Sequence, residues 1–94
     1  MDIKPTVWIG KKGLNETQIT EIKDQLSRKK LIKIKFLKSA LDNLSRKELA
    51  DEIEKSSGGI IVGMTGLAVT IAKDKITVLK YKQGIFKPGE KDVR

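Results

Sequence analysis

Gly10-Lys11-Lys12-Gly13 is the stretch of this sequence best equipped to meet a ligand. Glycine lets a backbone come close to a bound group, and a helix starting just after it offers free N–H groups and the positive end of its dipole. Lys11 and Lys12 add two mobile charges at the tip. Such a loop suits an anion, a phosphate above all. Further on, Arg28, Lys29, Lys30, Lys33, Lys35 and Lys38 fall within eleven residues, a second concentration of positive charge. The chemistry these groups imply is a grip on a phosphate backbone, with Gly10, Lys11, Lys12 and Gly13 as the cradle and Arg28, Lys29, Lys30, Lys33 and Lys35 as the clamp.

Other chemistries are disfavoured by what the chain lacks. It has no cysteine and no histidine, which removes disulfides, thiol nucleophiles, Ser-His dyads and nearly all zinc sites. No G-x-x-x-x-G-K-[ST] occurs, and the dinucleotide fingerprint needs three glycines after its strand. The acids Glu48, Asp51, Glu52 and Glu54 read as the solvated face of a helix and not as a catalytic carboxylate pair. The expectation is therefore no enzyme, no metal, no cofactor and no small-molecule substrate. No apolar run approaches the roughly 20 residues of a membrane span, and the N-terminus lacks a signal peptide's apolar core. The sequence reads as a soluble, cytoplasmic protein without a membrane partner.

Length and charge narrow the partner. Ninety-four residues allow one domain, since halves of about 45 residues could hardly bury cores of their own. The net charge of +8 points to a polyanion. Residues 1–38 carry ten Lys/Arg against four acids, residues 39–74 four against six, and residues 75–94 six against two. Two basic ends flank an acidic middle, so the positive charge should form a face.

The elements that must position these groups follow from periodicity and caps. Thr6–Ile9 reads as a strand with Val7 and Ile9 on one face and Trp8 on the other. Asn15 is a good N-cap, with Gln18 three residues on in an approximate capping box. Ile19, Ile22 and Leu26 then recur at helical spacing, predicting a helix over 16–29. Leu31–Leu37 alternates as a strand, Ile32, Ile34 and Phe36 facing the core and Lys33 and Lys35 the other side. Residues 38–44 connect, with room for one helical turn. Ser45 and Glu48 form a capping box for a helix over 46–56 that ends at Gly58 in a left-handed cap. Gly59–Thr65 and Leu67–Ala72 read as strands, divided at Gly66 or bent there as one. Asp74-Lys75 reads as a tight turn leading Ile76–Tyr81 back as an antiparallel strand. The prediction is an α/β two-layer sandwich in the order β-α-β-α-β-β. Its mixed sheet has four strands, or five if Gly66 divides two, with both helices on one face and the other face open and basic. Residues 1–82 form the domain and 83–94 a polar tail.

At this level of detail the sequence resembles a known family, the CRM domain (chloroplast RNA splicing and ribosome maturation), in its stand-alone YhbY-like form. The likeness covers about residues 4–82. Val7-Trp8-Ile9-Gly10-Lys11-Lys12-Gly13-Leu14-Asn15 resembles the family's "IGKxGLT" segment, and Leu31-Ile32-Lys33-Ile34-Lys35 its "LIKVKV" strand. Leu49-Ala50 through Ser57-Gly58-Gly59 resembles its "LA…I…TGG" helix and turn. The resemblance implies an RNA-binding protein acting on ribosomal RNA, in ribosome assembly or as a ribosome-associated factor, since bacterial members associate with precursors of the large subunit and plant members promote splicing. It also implies a fold like the C-terminal domain of bacterial initiation factor three, and RNA contact through the GxxG loop, here Gly10, Lys11, Lys12 and Gly13. Two departures stand out: only five residues precede Thr6 where the family usually has a further helix, and the C-terminal region is longer than in the short bacterial forms.

The residues also say how RNA would be read. Trp8, Phe36, Tyr81 and Phe86 are too few for an aromatic stacking platform, so contacts to backbone and shape are expected to dominate. Trp8 could stack on a base, but a packed core position is the expectation. A KH domain also grips backbone through GxxG, yet its loop joins two helices and wants an apolar residue where Glu16 stands. A constitutive ribosomal or nucleic-acid-coating protein is the remaining alternative, alongside a protein-interaction module using the acidic second helix.

Overall fold

Two strands that run parallel and touch cannot be joined by a tight turn, and the fold begins with such a pair. The computed structural model describes residues 4–42 and 44–85. In it β1 (Pro5–Ile9) pairs parallel with β2 (Leu31–Phe36), and the 14-residue helix α1 (Glu16–Lys29) makes the crossover between them. A 3-10 turn (Lys38–Leu41) then leads to α2 (Arg46–Ser57), β3 (Ile60–Thr65), β4 (Ala68–Ala72) and α3 (Lys75–Lys82). The strands lie in the order β1-β2-β4-β3, with β4 antiparallel to both neighbours. This is the expected two-layer α/β sandwich on a mixed four-stranded sheet.

The caps act where the sequence places them. Asn15 Oδ1 accepts from the Gln18 N–H at 2.9 Å, and Lys30 closes α1 in the left-handed region at φ 71°. Ser45 and Glu48 form the reciprocal capping box of α2, which ends at Gly58 with φ 79°. Between the helices and one sheet face lies the core, in which Ile9, Ile34, Phe36, Ile53, Val69 and Ile71 are fully buried, joined by Ile22 and Leu26 of α1 and Leu49 of α2. Each such side chain contributes about 1.5–3 kcal/mol relative to exposure. Gly59 sits at the tightest point: a Cβ there would lie 2.8 Å from Ile71 side-chain carbons and 2.9 Å from the Ala72 carbonyl oxygen. At the bulge that follows in edge strand β3, the Ile61 N–H donates to Glu54 Oε2 at 2.9 Å. Glu54 is thus a bonded support of the sheet edge, not only a solvated acid.

One expectation fails. Ile76–Tyr81 is not a fifth strand but most of α3. Its β-branched and aromatic residues favour a strand, but Asp74 overrides that preference. Its carboxylate accepts from the Thr77 N–H at 2.9 Å and caps a helix instead of opening a turn. Tertiary need supports the choice. Leu31 and Ala72 face away from the main core yet are buried, and α3, with Thr77 turned inward, touches β3 and β4 at that end of the second face. The two sequential strands come from Gly66, whose φ of 58° makes the β3–β4 turn. The remaining tail, 86–94, lies outside the described residues.

Gly59→Ala should lower stability by about 1–3 kcal/mol in urea unfolding, whereas Gly63→Ala, where a Cβ meets open space, should cost clearly less. Asp74 gives a second test. Hydrogen bonds from the Thr77 backbone, then its side chain, hold this carboxyl below its ordinary range. A depressed folded-state pKa contributes stability that is complete above the ordinary value and is lost as pH falls through the folded one. Protection factors of α3 amides should therefore drop below about pH 4, and Asp74→Ala should show the reduced protection already at neutral pH.

Candidate functional site

The loop after β1 turns sharply because its ends are glycines. Gly13 takes φ 70° and its N–H donates to the Gly10 carbonyl at 2.9 Å, closing the turn with Lys11 and Lys12 exposed at its tip. Gly10 packs against the chain leaving β2: a Cβ would lie 3.4 Å from Leu37 Cδ1 and 3.9 Å from Ser39 Oγ. The Leu37 N–H also donates to the Ile9 carbonyl at 2.9 Å. Loop and 3-10 turn are therefore neighbours, which brings Lys38 and Ser39 to the loop's side.

Beneath the lysines is an open depression of about 310 Å³, lined by Gly10–Gly13 with Asn15, Thr17 and Gln18. Gln18 does not complete a capping box. Its backbone N–H takes the Asn15 cap, while its side-chain Nε2 donates to the Trp8 carbonyl at 2.7 Å, tying α1 to β1. Its Oε1 is buried with no hydrogen-bond partner among the described residues. Both α1 and α2 start at this end of the sheet, so the positive ends of two helix dipoles reinforce the lysines. Arg46, in the first turn of α2, donates to the Gly66 carbonyl of the β3–β4 turn. The arrangement can receive an extended anion on a surface.

The predicted basic residues do not form one cluster. Gly10, Lys11, Lys12 and Gly13 are together at the loop end. Lys33 and Lys35 lie on the second sheet face, Lys35 in register with Trp8 next to the loop and Lys33 one row further away. Arg28, Lys29 and Lys30 are at the opposite end, separated by the whole of α1, about 21 Å at 1.5 Å per residue. There Arg28 is held by Asp24 through its Nη2 at 2.7 Å and its Nε at 3.2 Å. The Lys73 N–H donates to the Lys30 carbonyl, adding another cation to that end. Sequence reasoning missed Lys38 and Arg46 as loop-end cations. The parallel pairing was the signal for Lys38, because it sets the residues after β2 beside those after β1.

A second correction concerns Trp8. It is not packed in the core: it is 51% exposed on the second sheet face, while its neighbours Val7 and Ile9 are buried. Among the described residues no helix is long and apolar enough to cross a membrane, and no group of three or more His, Cys, Asp and Glu could hold a metal ion.

Comparison with known proteins points the same way. Residues 1–73 match the CRS1/YhbY (CRM) domain. A Methanocaldococcus jannaschii protein named as a probable RNA-binding protein is 33% identical over 79 residues, 84% of this chain and 58% of its own length. The chain thus spans little more than half of that relative. A Staphylococcus aureus protein, described as a candidate RNA-binding protein and solved in solution, superposes with a TM-score of 0.66 at 32% identity, over 79% of this chain and 75% of its own.

Proposed function

This chain belongs to the CRS1/YhbY (CRM) domain family, and from that premise we propose that it binds RNA through the Gly10–Gly13 loop and the basic surface around it. The observation that carries the reading is the loop's construction. Two exposed lysines are held between glycines, over the start of α1, with Lys35 and Lys38 on adjoining elements. Backbone N–H groups and the dipole meet a phosphate oxygen directly, and the lysines supply the charge that displaces counterions. The names of the relatives support RNA as the polyanion. The loop runs from a strand into a helix, which separates it from a KH loop between two helices. The finer reading, ribosomal RNA during ribosome assembly, rests on the family resemblance.

The loop end does most of the binding on this reading, and Lys29 and Lys30 contribute through the longer-ranged field. Titration of a labelled ribosomal RNA fragment at several salt concentrations, with transfer RNA as competitor, tests it. Lys11→Ala/Lys12→Ala should weaken binding and flatten the salt dependence, each lost phosphate contact lowering the slope by roughly 0.7–0.9. Lys29→Ala/Lys30→Ala should change the slope less. An unchanged slope in a folded Lys11/Lys12 double variant would remove the loop as the contact.

A further inference from the structure

We infer that Trp8 is a base-stacking site, so that the RNA taken by this surface carries an unpaired nucleotide beside the phosphates held by the loop. The inference rests on the RNA-binding reading and specifies its substrate class. Trp8 stands in the middle of a hydrogen-bonded strand, with Val7 and Ile9 buried on either side. Its carbonyl is fixed by Gln18 Nε2 at 2.7 Å. The direction in which the indole projects is therefore set by the sheet. A ring this large, half exposed on ordered backbone, leaves apolar area in water that a planar ligand can cover.

The surface around the ring suits a nucleotide. Across the sheet from Trp8 the same row holds Lys35, then Ala68, then Thr65, and the next row holds Lys33, Thr70 and Gly63. Beyond the two lysines the other members of these two rows are small, and on the loop side of Trp8 the half-exposed Leu37 adds apolar area beside the ring. The third row, Leu31, Ala72 and Ile60, is apolar, with Leu31 and Ala72 buried and α3 packed on β3 and β4, which closes the site on that side. Gly10 follows Trp8 by two residues, about 7 Å along a strand, so one nucleotide can place its base on the ring and its phosphate at the loop. Charge decides the class of occupant: Trp8 is the only exposed aromatic ring among the described residues, with Lys35 in register beside it, Lys33 one row away and Lys11 and Lys12 in the loop that follows, a combination that fits a base joined to phosphates. A-form duplex keeps its base faces stacked inside, so the base must come from a single-stranded segment, bulge or end. With one ring, one base is read, and stacking alone tolerates any of the four.

Trp8 is the only tryptophan of the chain, so its emission reports on this site alone. The probes are a ten-nucleotide single-stranded RNA, the same strand in a blunt duplex, and the same strand with abasic sites, each followed by anisotropy of an end label and by indole fluorescence. The single strand should quench the indole as it binds, and the duplex and abasic strands should bind more weakly without quenching. Trp8→Ala should lose roughly tenfold or more in affinity for the single strand at an unchanged salt slope, Trp8→Phe should retain most of it, and both should keep the wild-type circular dichroism. Binding of all three probes without quenching, or full affinity in Trp8→Ala, overturns the stacking site and leaves the RNA-binding reading standing. Quenching that follows protein concentration in the absence of RNA assigns the ring to a contact between copies and also overturns it. Failure to bind any of the three probes overturns both.

Discussion

The parallel pairing of β1 with β2 is the constraint on which the rest of this structure depends. Parallel neighbours need a crossover, and α1 supplies it with its N-terminus at the end where β1 finishes. The glycine loop, the open end of a helix and the exit of β2 are thereby gathered at one edge of the sheet. Trp8 and Lys35 fall in register there, and Leu37 hydrogen-bonds back to Ile9 beside the loop. The same geometry sends Arg28–Lys30 to the far edge. Residues two apart in sequence and residues twenty apart are sorted by strand direction and not by proximity in the chain.

The second consequence is an asymmetry between the two sheet faces. One is filled by α1 and α2 over an aliphatic core, the usual solution for a crossover that places its helices on one side. The other is divided. At the end where β2 starts, Leu31 and Ala72 are apolar and buried, and α3 packs there on β3 and β4. At the loop end, lysines, threonine, alanine and the half-exposed Leu37 leave the surface open, with Trp8 as its single large ring among the described residues. A short helix capped by Asp74 thus limits the exposed face to the half that lies beside the loop.

Much of this was legible in the residues. Caps are local chemistry, so Asn15, Ser45 with Glu48, and Gly58 mark their helix ends without any knowledge of the fold. Strict alternation in Leu31–Phe36 sorts Lys33 and Lys35 from Ile32, Ile34 and Phe36 just as clearly. The failures share a cause. Ile76–Tyr81 carries strand-like residue types, yet the Asp74 cap and packing on β3 and β4 go with a helix there. Alternation in Thr6–Ile9 places Trp8 on the opposite face from Val7 and Ile9, but whether that face is covered depends on where α3 stops. Gln18 stood at the capping-box position, yet its side chain found the Trp8 carbonyl across the crossover. The composition of the basic tract was visible, while its division between two ends required the strand direction.

The claim that the loop edge, and not the far basic edge, receives RNA can be read residue by residue. Amide and indole resonances of the labelled protein would be followed by NMR while a single-stranded RNA is added. The predicted result is that Gly10–Gly13, Lys35, Lys38 and the Trp8 indole shift together, with Lys29, Lys30 and Lys73 close to their free positions. Shifts confined to Lys29, Lys30 and Lys73, with the Gly10–Gly13 loop unmoved, would contradict it.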